Sequence, residues 1–114
     1  MALELEQVKA ELIGNVQVVV KEVDLPAREL VALAQGIAKE HGISLLISKG
    51  ELRVVAGSAD KRVNAGEIVS RVCEVLGGKG GGKPGFAQGV GQNHDQVEKS
   101  LKAGKEVIIN ALHG

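Results

Sequence analysis

Gly77-Gly78-Lys79-Gly80-Gly81-Gly82-Lys83-Pro84-Gly85-Phe86-Ala87-Gln88-Gly89 holds seven glycines, two lysines and no acid. Such a run has little side-chain cover, and each glycine ordered within it loses more entropy than any other residue would. It lies between two well-patterned helical segments, so the sequence predicts an exposed loop that is kept for use. That use is the offer of backbone N–H groups to an anion, with Lys79 and Lys83 beside them. A flexible linker is the competing reading. It suits poorly a run that lacks serine and carries lysines, proline and phenylalanine.

Upstream of the run, Asn64 is placed to cap a helix, with Glu67 three residues on in a capping-box arrangement. Ile68, Val69, Val72, Val75 and Leu76 then repeat at helical spacing up to Gly77. Gly57–Arg62 is a polar loop. Before it, Ile43–Ser48 and Glu51–Ala56 flank Lys49-Gly50, which predicts a hairpin with a two-residue primed turn. Leu30, Leu33, Ala34, Ile37 and Ala38 line one face of a helix that opens at Asp24-Leu25-Pro26 and ends at Gly42. Val16–Val23 is β-branched and mostly apolar, the composition of a buried strand. Gly14-Asn15 separates it from a charged, helix-favouring start in which Leu5, Val8 and Leu12 fall at helical spacing.

Downstream, Phe86–Gly91 suits a short strand. A last helix runs from about His94 to Leu112, with Val97, Leu101, Ile108 and Leu112 inward and Lys99, Lys102 and Lys105 on its polar side. This order predicts an α/β (α+β) domain over residues 14–114. It has a mixed sheet containing a β-hairpin, about three packed helices, and a glycine-rich loop between the last two. Residues 1–13 are expected to be the end of a preceding helical or coiled-coil arm.

A chain of 114 residues with 44% hydrophobic content can bury one core. Fourteen bases balance fourteen acids, so no global field favours nucleic acid or a membrane. The halves differ. Residues 1–50 carry seven acids and five bases (−2), and residues 51–114 carry seven acids and nine bases (+2), so the excess lies with the glycine run. Cys73 has no cysteine to pair with in this sequence, which fits a reducing compartment. No apolar run reaches the length of a membrane span and the start lacks signal-peptide layout, so a cytoplasmic location is expected.

The chemical inventory is thin. His41, His94 and His113 stand far apart, so no zinc site is expected. Cys73 lies in a helical stripe and is expected to be a buried thiol. No carboxylates pair for acid–base work. The glycine run follows a helix, the wrong context for either G-x-x-x-x-G-K-[ST] or G-x-G-x-x-G. No catalytic residue and no cofactor are expected in this chain. Binding remains: Lys79, Lys83, the glycine amides and Lys61-Arg62 form a candidate patch for a nucleic-acid backbone. With Phe86 the one aromatic residue, base stacking on a single strand is poorly supplied, and a folded RNA fits better.

Val63-Asn64-Ala65-Gly66-Glu67-Ile68-Val69, Leu76-Gly77-Gly78-Lys79-Gly80-Gly81-Gly82-Lys83-Pro84 and Ala87-Gln88-Gly89 closely resemble the DHH-associated domain. That domain ends alanyl-tRNA synthetases and also occurs in editing proteins, oligoribonuclease-type phosphodiesterases and single-strand exonucleases. The charged N-terminal stretch is similar to the end of the helical arm in the synthetases. The resemblance implies a module that binds tRNA(Ala), at its elbow, and couples the aminoacylation and editing domains of the same enzyme. It implies RNA contacts from Gly78, Lys79, Gly80, Gly81, Gly82, Lys83 and Gln88. ATP, magnesium and zinc would belong to other parts of such an enzyme, with this chain a fragment or free-standing relative. One departure stands out: Val90 follows Ala87-Gln88-Gly89 where the family commonly has glycine. Two alternatives stay open. One is the accessory domain of a DHH-type phosphodiesterase or exonuclease; the other is a bridging module that forms a homodimer through its N-terminal helical stretch.

Overall fold

The structure is a computed structural model and describes residues 10–113. Among them the elements follow as β1 (Glu11–Ile13), β2 (Val16–Val23), α1 (Ala27–Glu40), β3 (Gly42–Ser48), β4 (Arg53–Ser58), α2 (Ala65–Val75), β5 (Lys79–Gly82), β6 (Phe86–Val90) and α3 (Val97–His113). The strands form one mixed sheet in the order β1-β2-β3-β4-β6-β5, with β2 and β3 parallel and every other pair antiparallel. The expected class of mixed sheet and three helices is the one found.

Strand alternation divides the core between the two faces. Ile43, Leu45 and Ile47 of β3 join Val54 and Ala56 of β4 beneath α2 and α3. Leu46 and Val55 join Val19 and Val23 beneath α1. All five residues read as the apolar stripe of α1 are buried. Ser44 is a buried polar residue on that face, as is Ser48 at the end of the strand. The Ser44 hydroxyl donates to the Ala34 carbonyl at 2.7 Å and accepts from the Gly57 amide at 3.1 Å, which satisfies it and ties α1 to two strands.

Two turns differ from expectation. The primed two-residue turn occurs at Gly14-Asn15, where both φ angles are positive (53° and 68°), as the type I′ geometry of a tight hairpin requires. Glu11–Ile13 is therefore a strand paired with β2, and Leu12, assigned to a helical stripe, is an exposed strand residue. Leu5 and Val8 lie outside the described residues. Between β3 and β4 the connection takes four residues, Lys49–Leu52. Leu52 turns to φ 53° and is fully buried, while Ser48 closes the loop through its carbonyl to the Leu52 amide and its hydroxyl to the Arg53 amide. Gly50 is exposed with open space about it and supplies no primed turn.

A 3-10 turn over His94–Gln96 leads into α3. Ser100, Ala103 and Gly104 were not expected in its core face, yet all are buried. Small residues let α3 settle closely. A Cβ at Gly104 would collide with Leu45 and come within 2.8 Å of Val72 Cγ2. Gly104→Val should therefore lower stability by about 1–3 kcal/mol through overpacking, despite the gain in helix propensity. Urea unfolding measures this, and a variant as stable as the parent would refute the close packing of α3.

Candidate nucleic-acid interface

The glycine run is a β-hairpin rather than a loop. β5 pairs with β6 residue by residue, Lys79↔Val90 to Gly82↔Ala87, and the turn Lys83–Gly85 joins them. The helix before it carries the expected Asn64 cap, the side chain accepting from the Glu67 amide at 3.2 Å, but among the described residues the Glu67 side chain returns no bond to complete a capping box. α2 then packs across β4, β6 and β5.

This packing accounts for the glycines. A Cβ at Gly80 would stand 2.7 Å from Val69 Cγ1 and 2.9 Å from Cys73 Sγ, and one at Gly89 would stand 2.6 Å from the Lys79 carbonyl oxygen and 2.7 Å from Cys73 Sγ. A Cβ at Gly82 would likewise stand 2.7 Å from Ala87 Cα on the paired strand. Their absent side chains let two strands and a helix meet. Cys73 is buried at that meeting point, and burial pushes its thiol up, against a smaller opposing effect of the backbone of Val90. Gly81 differs, with only Ser70 Oγ near, at 3.7 Å.

The backbone groups on offer are thus those of a sheet edge. β5 has no partner on its outer side among the described strands, so alternate N–H and C=O groups point outward. The Gly78 amide is already spent on the Cys73 carbonyl at 2.8 Å, and the Ser70 hydroxyl reaches the Gly80 carbonyl at 3.4 Å.

The expected cations do not form one patch. Pro84 and Gly85 bond the amides of Ala65 and Ser58, which brings the Lys83 turn against the Ser58–Asn64 connection that carries Lys61 and Arg62. Lys61 and Lys83 are exposed at that end of the hairpin. Lys79 is at the other end, about 13 Å away by strand rise. Arg62 is committed: its guanidinium bonds Asp60 through Nε at 3.0 Å and Nη2 at 2.8 Å. These bonds, with one from the Arg62 amide, hold the Asp60 carboxyl at about 2, below its usual 3.8. Gln88 is exposed on the side of β6 that faces away from α2.

Beside Lys79 the sheet brings in a cation that the sequence did not single out. Val90 pairs with Arg53 on one side and Lys79 on the other. A lone arginine opening an apolar strand was visible in the sequence; its neighbour was not, because β6 inserts between β4 and β5. On the α2 side of the edge runs a groove lined by Asn64, Glu67, Ser70, Arg71 and Glu74, where Arg71 is paired to Glu74 at 2.6 Å. Among the described residues no three His, Cys, Asp or Glu side chains gather to hold a metal ion, and no helix is long and apolar enough to cross a membrane.

A mixed sheet closed at one edge by a glycine hairpin under a capped helix defines a class, and residues 15–110 match the model of the DHHA1 domain. The chain belongs to the DHHA1 domain family. It is similar to the C-Ala domain from Aquifex aeolicus alanyl-tRNA synthetase, with a TM-score of 0.78 and 29% identity over 89% of this chain and 98% of that one. Alanine–tRNA ligase of Methanoregula boonei is 47% identical over 111 residues, covering 96% of this chain and 12% of the ligase. That of Methanoculleus marisnigri is 47% identical over 113 residues, covering 98% and 12%. The chain thus spans 12% of the length of these curated relatives.

Two outcomes follow. Gly80→Ala should lower the melting temperature by several degrees through overpacking, whereas Gly81→Ala should not; equal effects in thermal melts would contradict the packing assigned to Gly80. The Asp60 carboxyl is depressed in the folded chain, so its stabilisation is present above 3.8 and is lost as pH falls through about 2. Asp60→Asn should flatten the fall of the denaturation midpoint across that window, and an unchanged acid limb would show that the Arg62 contact does not hold in solution.

Proposed function

We propose that this chain is the tRNA-binding module of an alanine–tRNA ligase, holding tRNA(Ala) at its elbow and coupling the aminoacylation and editing domains of that enzyme. The observation that carries this is the match to the C-Ala domain along nearly its whole length, beside ligase relatives at 47% identity. The chain itself contributes binding and no chemistry, with ATP, magnesium and zinc bound by other parts of a cytoplasmic enzyme. Lys61 and Lys83 supply charge at one end of the hairpin and Lys79 at the other. The outward amides of β5, including that of Gly80 or Gly82, approach the RNA backbone, and Gln88 adds a neutral donor and acceptor. Arg62 contributes little charge because Asp60 neutralises it.

The synthetase relatives favour this reading over the accessory domain of a DHH-type phosphodiesterase or exonuclease. Homodimerisation through an N-terminal helical stripe loses one of its three residues, Leu12, to β1.

Labelled tRNA(Ala) and an equal-length unstructured RNA, each titrated over a salt series, test the proposal. The folded tRNA should bind more tightly, with affinity falling as salt rises. Lys83→Ala and Lys61→Ala should each reduce the salt slope by about one contact. Preference for the unstructured strand would instead assign the chain to the nuclease relatives. Absence of binding to either would leave a bridge that acts only within its enzyme.

A further inference from the structure

α1 packs over β3 and β4, leaving the same face of β6 and β5 open. Phe86 reaches the α1 core, but beyond it Gln88 is exposed and Val90 is 45% exposed. Alternation sets the side chains of Arg53, Val90 and Lys79 on this open face, since Val54, Ala87 and the would-be side chains of Gly80 and Gly89 point to the α2 side. The three residues form a row across β4, β6 and β5 in direct register. Two strand spacings put the backbones of Arg53 and Lys79 about 10 Å apart, with an exposed valine between.

Charge separates the two sides of the edge. The α2 groove carries Glu67 and Glu74 against the paired Arg71. Strands β4, β5 and β6 contain no carboxylate at all, and the acid nearest to Arg53 in sequence is Glu51. Of the arginines beyond residue 50, Arg62 and Arg71 hold carboxylates at 2.8 and 2.6 Å, while Arg53 reaches Glu51 only at 3.8 Å, on a side chain that is 68% exposed. Arg53 Nε is buried with no hydrogen-bond partner, and the rest of the guanidinium has only the distant, exposed Glu51 beside it. A planar donor fork so lightly engaged suits phosphate oxygens.

We infer that the open α1-side face of the β5–β6 hairpin is an RNA-backbone contact, with Arg53 and Lys79 taking phosphates on either side of Val90. This rests on the tRNA-binding reading and chooses the side of the edge strand on which the RNA lies, away from the acidic groove. It also gives Val90 a place: its side chain separates the two cations where a glycine would leave a gap.

The test uses the 114-residue chain and labelled tRNA(Ala) over a salt series. Arg53→Gln should weaken binding about tenfold and lower the salt slope by about one, and Arg53→Lys should restore the slope. Val90→Glu, at an exposed position, should weaken binding at least as much by setting a carboxylate between the cations. Glu67→Gln, in the groove, should leave the slope unchanged. Circular dichroism of each variant checks folding. Parent-like binding by folded Arg53→Gln and Val90→Glu would overturn this face while leaving the tRNA-binding reading in place. A slope that responds to Glu67→Gln instead would put the RNA in the groove. Absence of tRNA binding by the parent chain would overturn both readings.

Discussion

The structure depends on the absence of three Cβ atoms. Val69 and Cys73 on α2 press against Gly80 and Gly89, so the last hairpin can seat beneath the helix only if those two carry no side chain, and a Cβ at Gly82 would meet Ala87 within the hairpin itself. Once it is seated, β6 joins β4, the sheet gains its sixth strand, and Cys73 is sealed from solvent. Of apolar side chains the hairpin gives the cores only Ala87 and Phe86 of β6, since β5 has none. Its stability is borrowed from backbone pairing and from α2. That is a rigid use of glycine, opposite to the mobility that composition alone suggests.

Patterns carried by side chains were legible. The stripe of α1, the Asn64 cap and the inward residues Val97, Ile108 and Leu112 of α3 all stand where periodicity put them. Patterns carried by missing side chains were not. Lys79–Gly82 has no alternation from which a strand could be inferred, and Gly104 shows its purpose only when Leu45 and Val72 arrive from elsewhere in the chain. At Gly14-Asn15 a turn and a helix break draw on the same residues, and the two positive φ angles decide for the turn. At Lys49-Gly50 the reverse holds: the glycine lies in the turn without a positive φ, and Leu52 takes the left-handed conformation and buries itself.

The candidate site was legible in composition more than in arrangement. Lys61 and Lys83 do share one end of the hairpin, yet Lys79 is a strand length away and Arg62 is neutralised by an acid two residues earlier. Arg53 could not be placed beside Lys79 without knowing that β6 runs between their strands. Sequence lists charges; the sheet decides which of them see one another and which are already answered.

The order of the strands also fixes a separation. β1 lies on one edge of the sheet and β5 on the other, with four strands between them. Five strand spacings amount to about 24 Å. The polypeptide therefore enters the sheet on the flank opposite the glycine edge, and the intervening strands act as a stiff crossbar. Groups held at the two margins of the sheet would therefore stand at least the width of four intervening strands apart.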